Sequence, residues 1–285
     1  MPDPKWVTHI NYAFGHVAGS FDRVRVDNPE RLKNIVKLKE RYPDLKVLLS
    51  IGGWGSGNFS EMATVSARRK AFAIDCRRVI EEFNLDGIDI DWEYPTSKAA
   101  GISASPEDTK NYTFMMREIR KEIGSEKLLT IATQVGGGYI DLEEIEPLVD
   151  FVNIMAYDIG NPPYHHAPLF RSDSVGWISV EEGVNRHIEK GIPAWKLVLG
   201  ISFYGHGRDG VNQYIDYRQI LELGEEYVAT WDNEAKVPYL IDEEEKFVCT
   251  FENPRSIQIK CCFLRNKGLR GQCIGNITQT MNREL

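Results

Sequence analysis

The chain has 285 residues and 32.5 kDa, with 34 Lys+Arg against 42 Asp+Glu, a formal net charge of −8 and a pI near 5.4. Hydrophobic residues at 42% and charged residues at 27% are those of an ordinary globular domain, which excludes collagen-like and disordered classes. No apolar run of ~18 residues is present to span a bilayer, and the acidic balance disfavours nucleic acid as a partner.

In chain order, His9 to Phe14 is the first strand-like run. Asn28-Pro29 then supplies an N-cap and a proline for the first helical turn, leading into Leu32, Ile35 and Val36. Lys46 to Ile51 predicts the next strand, and Phe72, Cys76, Val79, Ile80 and Phe83 form one apolar helical face. Cys76 on that stripe is expected to be a small buried hydrophobe. Strand-like runs follow at Gly87 to Trp92, Leu128 to Thr133 and Phe151 to Ala156. Between them, Ser105-Pro106 with Asp108 three residues after the serine predicts another helix start. Ser179 with Glu182 forms a capping box, and Leu197 to Ser202 and a weaker Gly271 to Ile274 complete the strands.

These runs are apolar on both faces, as in a buried parallel sheet. The β-α-β rhythm reads as a parallel α/β domain, either a (β/α)8 barrel or a doubly wound open sheet. No G-x-G-x-x-G or G-x-x-x-x-G-K-[ST] loop follows a strand, which argues against a nucleotide-binding sheet. The stretch from Tyr214 to Cys249 breaks the rhythm, with a helix predicted from Tyr217 to Leu223 and a hairpin from Val237 through Phe247. One domain over residues 1–285 is therefore expected, with 206–250 as an insertion on a loop. Five cysteines, two of them adjacent at Cys261 and Cys262, give neither a disulfide framework nor a zinc spacing. Met1 to Lys5 has no signal-peptide character, so the cellular address is not legible in this chain.

The most informative segment is Asp86-Gly87-Ile88-Asp89-Ile90-Asp91-Trp92-Glu93-Tyr94-Pro95. Alternate strand residues share a face, so Asp89, Asp91 and Glu93 point one way and Ile88, Ile90 and Trp92 the other. Three acids in file cannot all ionise easily, because like charge and desolvation raise at least one pKa, and a proton is shared along the row. Glu93 comes last, at the C-terminal rim where barrel enzymes place their chemistry. A solvated acidic strand end and an oxygen-rich magnesium or calcium cage are the competing readings. An acid kept protonated near neutral pH is what glycosidic cleavage requires.

The segment resembles the D-x-x-D-x-D-x-E signature of glycoside hydrolase family 18, the chitinase family, matched by Asp86, Asp89, Asp91 and Glu93. Other segments are similar to the family's strands in order: His9 to Phe14 to strand two, Ser50-Ile51-Gly52-Gly53-Trp54 to strand three, Met155-Ala156-Tyr157-Asp158 to strand six, and Leu199 to Gly205 to strand seven. The resemblance implies a (β/α)8 TIM barrel and retaining hydrolysis in which the substrate's own N-acetyl group is the nucleophile. It implies that Glu93 protonates the leaving oxygen, Asp91 holds the acetamido N–H, Asp89 relays charge beneath it and Tyr157 steers the acetamido carbonyl. Phe14, Trp54, Tyr94, Met155, Asp158 and Tyr204 match substrate-contact positions. No metal or other cofactor is implied. The implied partner is an N-acetylglucosamine-containing oligo- or polysaccharide, the expected state a monomer, and the implied setting secreted or cell-envelope. An endo-β-N-acetylglucosaminidase acting on N-glycans and a non-catalytic chitin-binding lectin share the fold. Lectins of this type commonly lose the terminal acid, which is present here as Glu93.

Three departures stand out. His206 replaces the arginine of the family's Tyr-Gly-Arg, strand one of the barrel is missing from the pattern, and Gly275 stands where strand eight of the family has tryptophan. Synonymous codons from Gly271 onward, read one frame over, spell a strand with that tryptophan. An aberrant strand eight, a bare floor at Gly275 and an out-of-frame tail over 276–285 are therefore expected.

Overall fold

The structure is a computed structural model that describes residues 4–275; the expected out-of-frame tail lies outside the described residues. The chain forms two compact units, one of residues up to Thr133 with Gly138–Val152, the other of Gln134–Gly137 with the residues from Asn153 onward. Among the described residues no helix is long and apolar enough to cross a membrane.

The first unit holds β1 (His9–Val17), β2 (Val24–Val26), β3 (Lys46–Gly52), β4 (Gly87–Asp91) and β5 (Leu128–Gln134), in the order β5-β4-β3-β1-β2. All pairings are parallel except β2, which turns back on Gly15–Val17 of β1. Every residue of β4 is buried, on the Asp89–Asp91 face as well as on the Ile88–Ile90 face. Away from β3, β1 pairs with no described strand before Gly15, and Asn11 and Ala13 are exposed. The helix Ser66–Phe83 buries Phe72, Cys76, Val79, Ile80 and Phe83, the predicted stripe; burial pushes the Cys76 thiol upward. Asn28 caps the helix Pro29–Val36 by accepting the Arg31 N–H at 3.1 Å.

The helix expected to start at Pro106 begins later, at Asp108–Ile123. Asp108 is fully buried and accepts from the Ser105 N–H at 2.7 Å and the Ser60 hydroxyl at 2.8 Å. Residues 105–107 are thereby held as a turn against this carboxylate and do not enter the helix.

β6 (Phe151–Met155) belongs to the second unit from Asn153 onward, and there it, β7 (Leu197–Ser202) and a strand at Gly271–Gly275 lie side by side, the last parallel to β7 in unbroken register. The capping box at Ser179 and Glu182 opens the helix Val180–Glu189 as predicted. Beyond β7, the chain builds a five-stranded sheet from β8 (Tyr204–Gly207), β9 (Ile215–Asp216), β10 (Val228–Asp232), β11 (Val237–Ile241) and β12 (Phe247–Thr250), with β13 the strand at Gly271–Gly275. The predicted hairpin is β11 with β12. The predicted helix ends at Leu221, two residues early, ahead of Gly224. This sheet has its own core of Val211, Ile215, Ile220, Leu240, Val248 and Phe251. Asn253-Pro254 starts a further helix, Pro254–Lys267, whose buried Lys260 pairs with buried Glu252 and donates to the Ala167 carbonyl at 2.7 Å.

Candidate active site

In the first unit, β4 delivers the acid row. Asp86, just before the strand, accepts from Lys39 and from the Val47 N–H, both at 2.8 Å, and so ties β4 to β3. Asp89 is buried at 2% exposure. Its two oxygens accept from Ser50 on β3 at 2.7 Å and Thr130 on β5 at 2.5 Å. Hydroxyl donors on both oxygens hold the carboxylate in one orientation.

Asp91, the next residue on that face, is also buried, and its Oδ1 has no hydrogen-bond partner among the described residues. Burial, then the charge of Glu93, then that of Asp89 drive the Asp91 carboxyl well above its usual range. Burial and the neighbouring charges thus oppose ionisation of Asp91, and the row shares a proton. Glu93 stands two residues beyond the end of β4, after Trp92, and is half-buried. On the opposite face Ile88, Ile90 and Trp92 are sealed against the helices, with Trp92 stacked on Phe59 at 5.1 Å. The alternation read from sequence is the alternation present. Burial, then Asp89 and Asp91, also raise the pKa of the nearby buried Tyr112.

Gly52, at the end of β3, has φ +133°, and a Cβ there would lie 1.9 Å from the Asp91 carbonyl oxygen. Only glycine allows this approach. Gly52→Ala is expected to cost about 3 kcal/mol in urea denaturation, through overpacking and backbone strain, with activity reduced as Asp91 is displaced.

Aromatic residues accompany the row. Trp54 is 63% exposed and meets Tyr94 edge-on at 6.3 Å, while Tyr94 stacks on Tyr139 at 5.0 Å. Phe14 lies over Gly53, where a Cβ would come within 2.9 Å of its ring. Beside Trp54 is a hollow of about 340 Å³ that includes His16, Arg25 and Ser56. His16 bridges the Ser56 hydroxyl at 2.7 Å and Asp27 at 2.9 Å. Sequence reasoning missed this chain, because its members lie 11 and 40 residues apart with no periodic signal.

In the second unit, Tyr157 and Tyr204 meet edge-on at 6.3 Å. The Tyr204 hydroxyl reaches both Asp158 oxygens, at 2.7 and 2.8 Å. Burial works to raise the Asp158 pKa, but contacts from His166 and His206 and the Tyr204 hydroxyl outweigh it and hold the carboxyl below its usual range. Met155 ends β6, partly buried. The bare floor expected at Gly275 is corrected here. A Cβ on Gly275 would come within 2.6 Å of Tyr157, and one on Gly200 within 2.8 Å, so the Tyr157 ring occupies the space beside both glycines.

A family model described as glycosyl hydrolases family 18 matches residues 2–279. Chitinase A1 of Niallia circulans is 31% identical over 302 residues, covering 89% of this chain and 43% of that protein. Chitinase C of Streptomyces lividans is 34% identical, over 73% of this chain and 40% of its own length. The chain thus spans less than half of either relative. Among solved structures, a family 18 N-acetylglucosaminidase from Paenibacillus barengoltzii superposes with a TM-score of 0.88 at 33% identity, covering 97% of this chain and 90% of that one. The fold class is the (β/α)8 barrel class of these enzymes. With the acid row carried on a buried parallel strand and the match running through nearly every described residue, the chain belongs to glycosyl hydrolase family 18.

Proposed function

We propose that this chain is a glycosidase that cleaves β-1,4-linked N-acetylglucosamine in chitin or chitooligosaccharides, by substrate-assisted hydrolysis with retention. The observation that carries the reading is the graded acid row: Asp89 fixed by two hydroxyls, Asp91 buried with its ionisation opposed by burial and by Glu93, Glu93 half-buried beyond the strand end. Glu93 donates its proton to the leaving glycosidic oxygen and later takes one from the attacking water. Asp91 binds the acetamido N–H as the carbonyl oxygen of that group closes on the anomeric carbon, and Asp89 supports the charge from beneath. Tyr157 hydrogen-bonds the acetamido carbonyl. An intramolecular nucleophile arrives already positioned, which saves several kcal/mol of association cost, of the ~7–11 kcal/mol that orientation can supply. Trp54 and Tyr94 offer flat apolar faces to sugar rings, while Phe14, Met155, Asp158 and Tyr204 complete the contacts.

The names of the relatives, two chitinases and an N-acetylglucosaminidase, support this substrate class over an N-glycan core. Retention of Glu93, Asp91 and Tyr157 supports an enzyme over a lectin. Chitooligosaccharides, an N-glycan and a non-hydrolysed chitin matrix assayed in parallel test it. Turnover of the chitooligosaccharide well above the N-glycan is expected. Preferred N-glycan cleavage, or binding to chitin without turnover of any substrate, would replace this reading with one of its two rivals.

A further inference from the structure

We propose that Asp158, His166 and His206, in the second unit, form a binding site for one divalent transition-metal ion of the zinc class. Their ligand atoms all lie within 4.8 Å of one another. Asp158 Oδ1 is 2.8 Å from His206 Nε2 and 3.9 Å from His166 Nδ1. Ligand atoms around a tetrahedral zinc ion sit ~3.3 Å apart, from bonds of ~2.0–2.1 Å. Of the three separations one is shorter and one longer than that, and the His166–His206 one lies within 4.8 Å, so closing the triangle on an ion takes shifts of up to about 1.5 Å.

The histidines carry the argument. His166 and His206 are buried, at 0% and 3% exposure; His166 Nδ1 has no hydrogen-bond partner among the described residues, whereas His206 Nε2 faces Asp158 Oδ1 at 2.8 Å. An orphaned nitrogen in a dry setting is costly unless something fills it. The other nitrogen of each ring is occupied. His206 Nδ1 lies 3.1 Å from the Gly160 carbonyl, which can only accept, so that nitrogen carries the proton. Its Nε2 then presents either a lone pair or a second proton towards Asp158. A lone pair facing a carboxylate at 2.8 Å is repulsive, and a cation between them removes the repulsion. His166 Nε2 is held at 3.3 Å from the buried Ser202 hydroxyl, leaving Nδ1 to face the cluster.

Outer contacts of this kind orient the ligands of metal sites. The Tyr204 hydroxyl fixes the Asp158 carboxylate in the same way. Both histidines are tied to one strand residue: His206 sits on β8 opposite Thr250, and the N–H of His166, in the loop after β6, donates to the Thr250 hydroxyl at 3.1 Å. The Asp158 side chain is 44% exposed, which gives the ion an entry path and room for water ligands. Two imidazoles and one carboxylate with an open side suit zinc, cobalt, nickel or copper, and suit magnesium or calcium poorly. A second proton on His206, making an imidazolium paired with Asp158, is the rival account of the same geometry.

Zinc titration of the metal-free full chain by calorimetry distinguishes the two, with cobalt absorption as a second readout. One equivalent is expected to bind with a dissociation constant below ~10 µM, and bound cobalt to give ligand-field bands that zinc abolishes. His206→Arg keeps a cation beside Asp158 and removes the imidazole; it and Asp158→Asn should each weaken zinc at least ~10-fold, while His9→Gln, in the first unit, should not. Thermal melting of the metal-free variants reports folding separately. Absence of saturable binding to the parent chain would overturn the proposal. So would a folded His206→Arg or Asp158→Asn that binds zinc as tightly as the parent, or loss of binding in His9→Gln.

Discussion

Glu93→Gln is expected to lower kcat on a chitooligosaccharide ~10²–10⁴-fold, the usual contribution of general acid catalysis, while oligosaccharide binding survives. The amide keeps the shape of the side chain and cannot deliver the proton. Glu93 stands after the last residue of β4, half-buried, whereas Asp89 and Asp91 are enclosed within the strand. It is therefore the member of the row best placed to meet a leaving group. Steady-state kinetics and calorimetry on the same variant separate the two effects. A Glu93→Gln protein that retains most of its activity would remove Glu93 from the role of acid.

Asp91→Asn is expected to lower kcat ~10²–10³-fold, as removal of one preorganised electrostatic partner does, and to move the pH profile as well. Asp91 and Glu93 titrate against each other, since the charge of each opposes ionisation of the other. With Asp91 neutral at every pH, the remaining acid loses its proton more easily, so the alkaline limb of the pH–rate curve moves to lower pH. Stability supplies an independent check. The folded-state pKa of Asp91 lies above its unfolded value, so its contribution is fully present below the ordinary carboxylate range and is lost as pH rises through the raised pKa. The parent should therefore lose stability over that window, and Asp91→Asn should lose less. A variant with the parent's pH–rate profile and the parent's pH–stability slope would show that Asp91 does not share the proton.

The row was legible because two signals coincide in ten residues: strict alternation places Asp89, Asp91 and Glu93 on one face, and Ile88, Ile90 and Trp92 require the other to be buried. The other parallel strands were legible for a different reason, as short runs mostly apolar on both faces. The Asn28 cap and the Ser179–Glu182 box were read from adjacent residues and occur as read. Ser105-Pro106 misled because the side chain that organises it, Asp108, is recruited by Ser60 from 48 residues upstream. β10 was missed because Val228 and Ala229 are exposed, so no buried face imposes a pattern on the sequence. Gly275 suggested an empty floor, and the Tyr157 ring fills that direction. The His16–Ser56–Asp27 chain and the Asp158–His166–His206 cluster depend on residues brought together from separate segments, a juxtaposition that spacing along one chain does not encode.

The central claim is that the substrate's acetamido group is the nucleophile and Glu93 the acid. Proton NMR of the first-formed product from a chitooligosaccharide, run beside a cellulose oligomer of equal length under the same conditions, tests it most directly. The account predicts a newly released reducing end that appears first as the β anomer, with little cleavage of the cellulose oligomer, which has no acetamido group. A first product of inverted configuration, or comparable rates on the two oligomers, would contradict it.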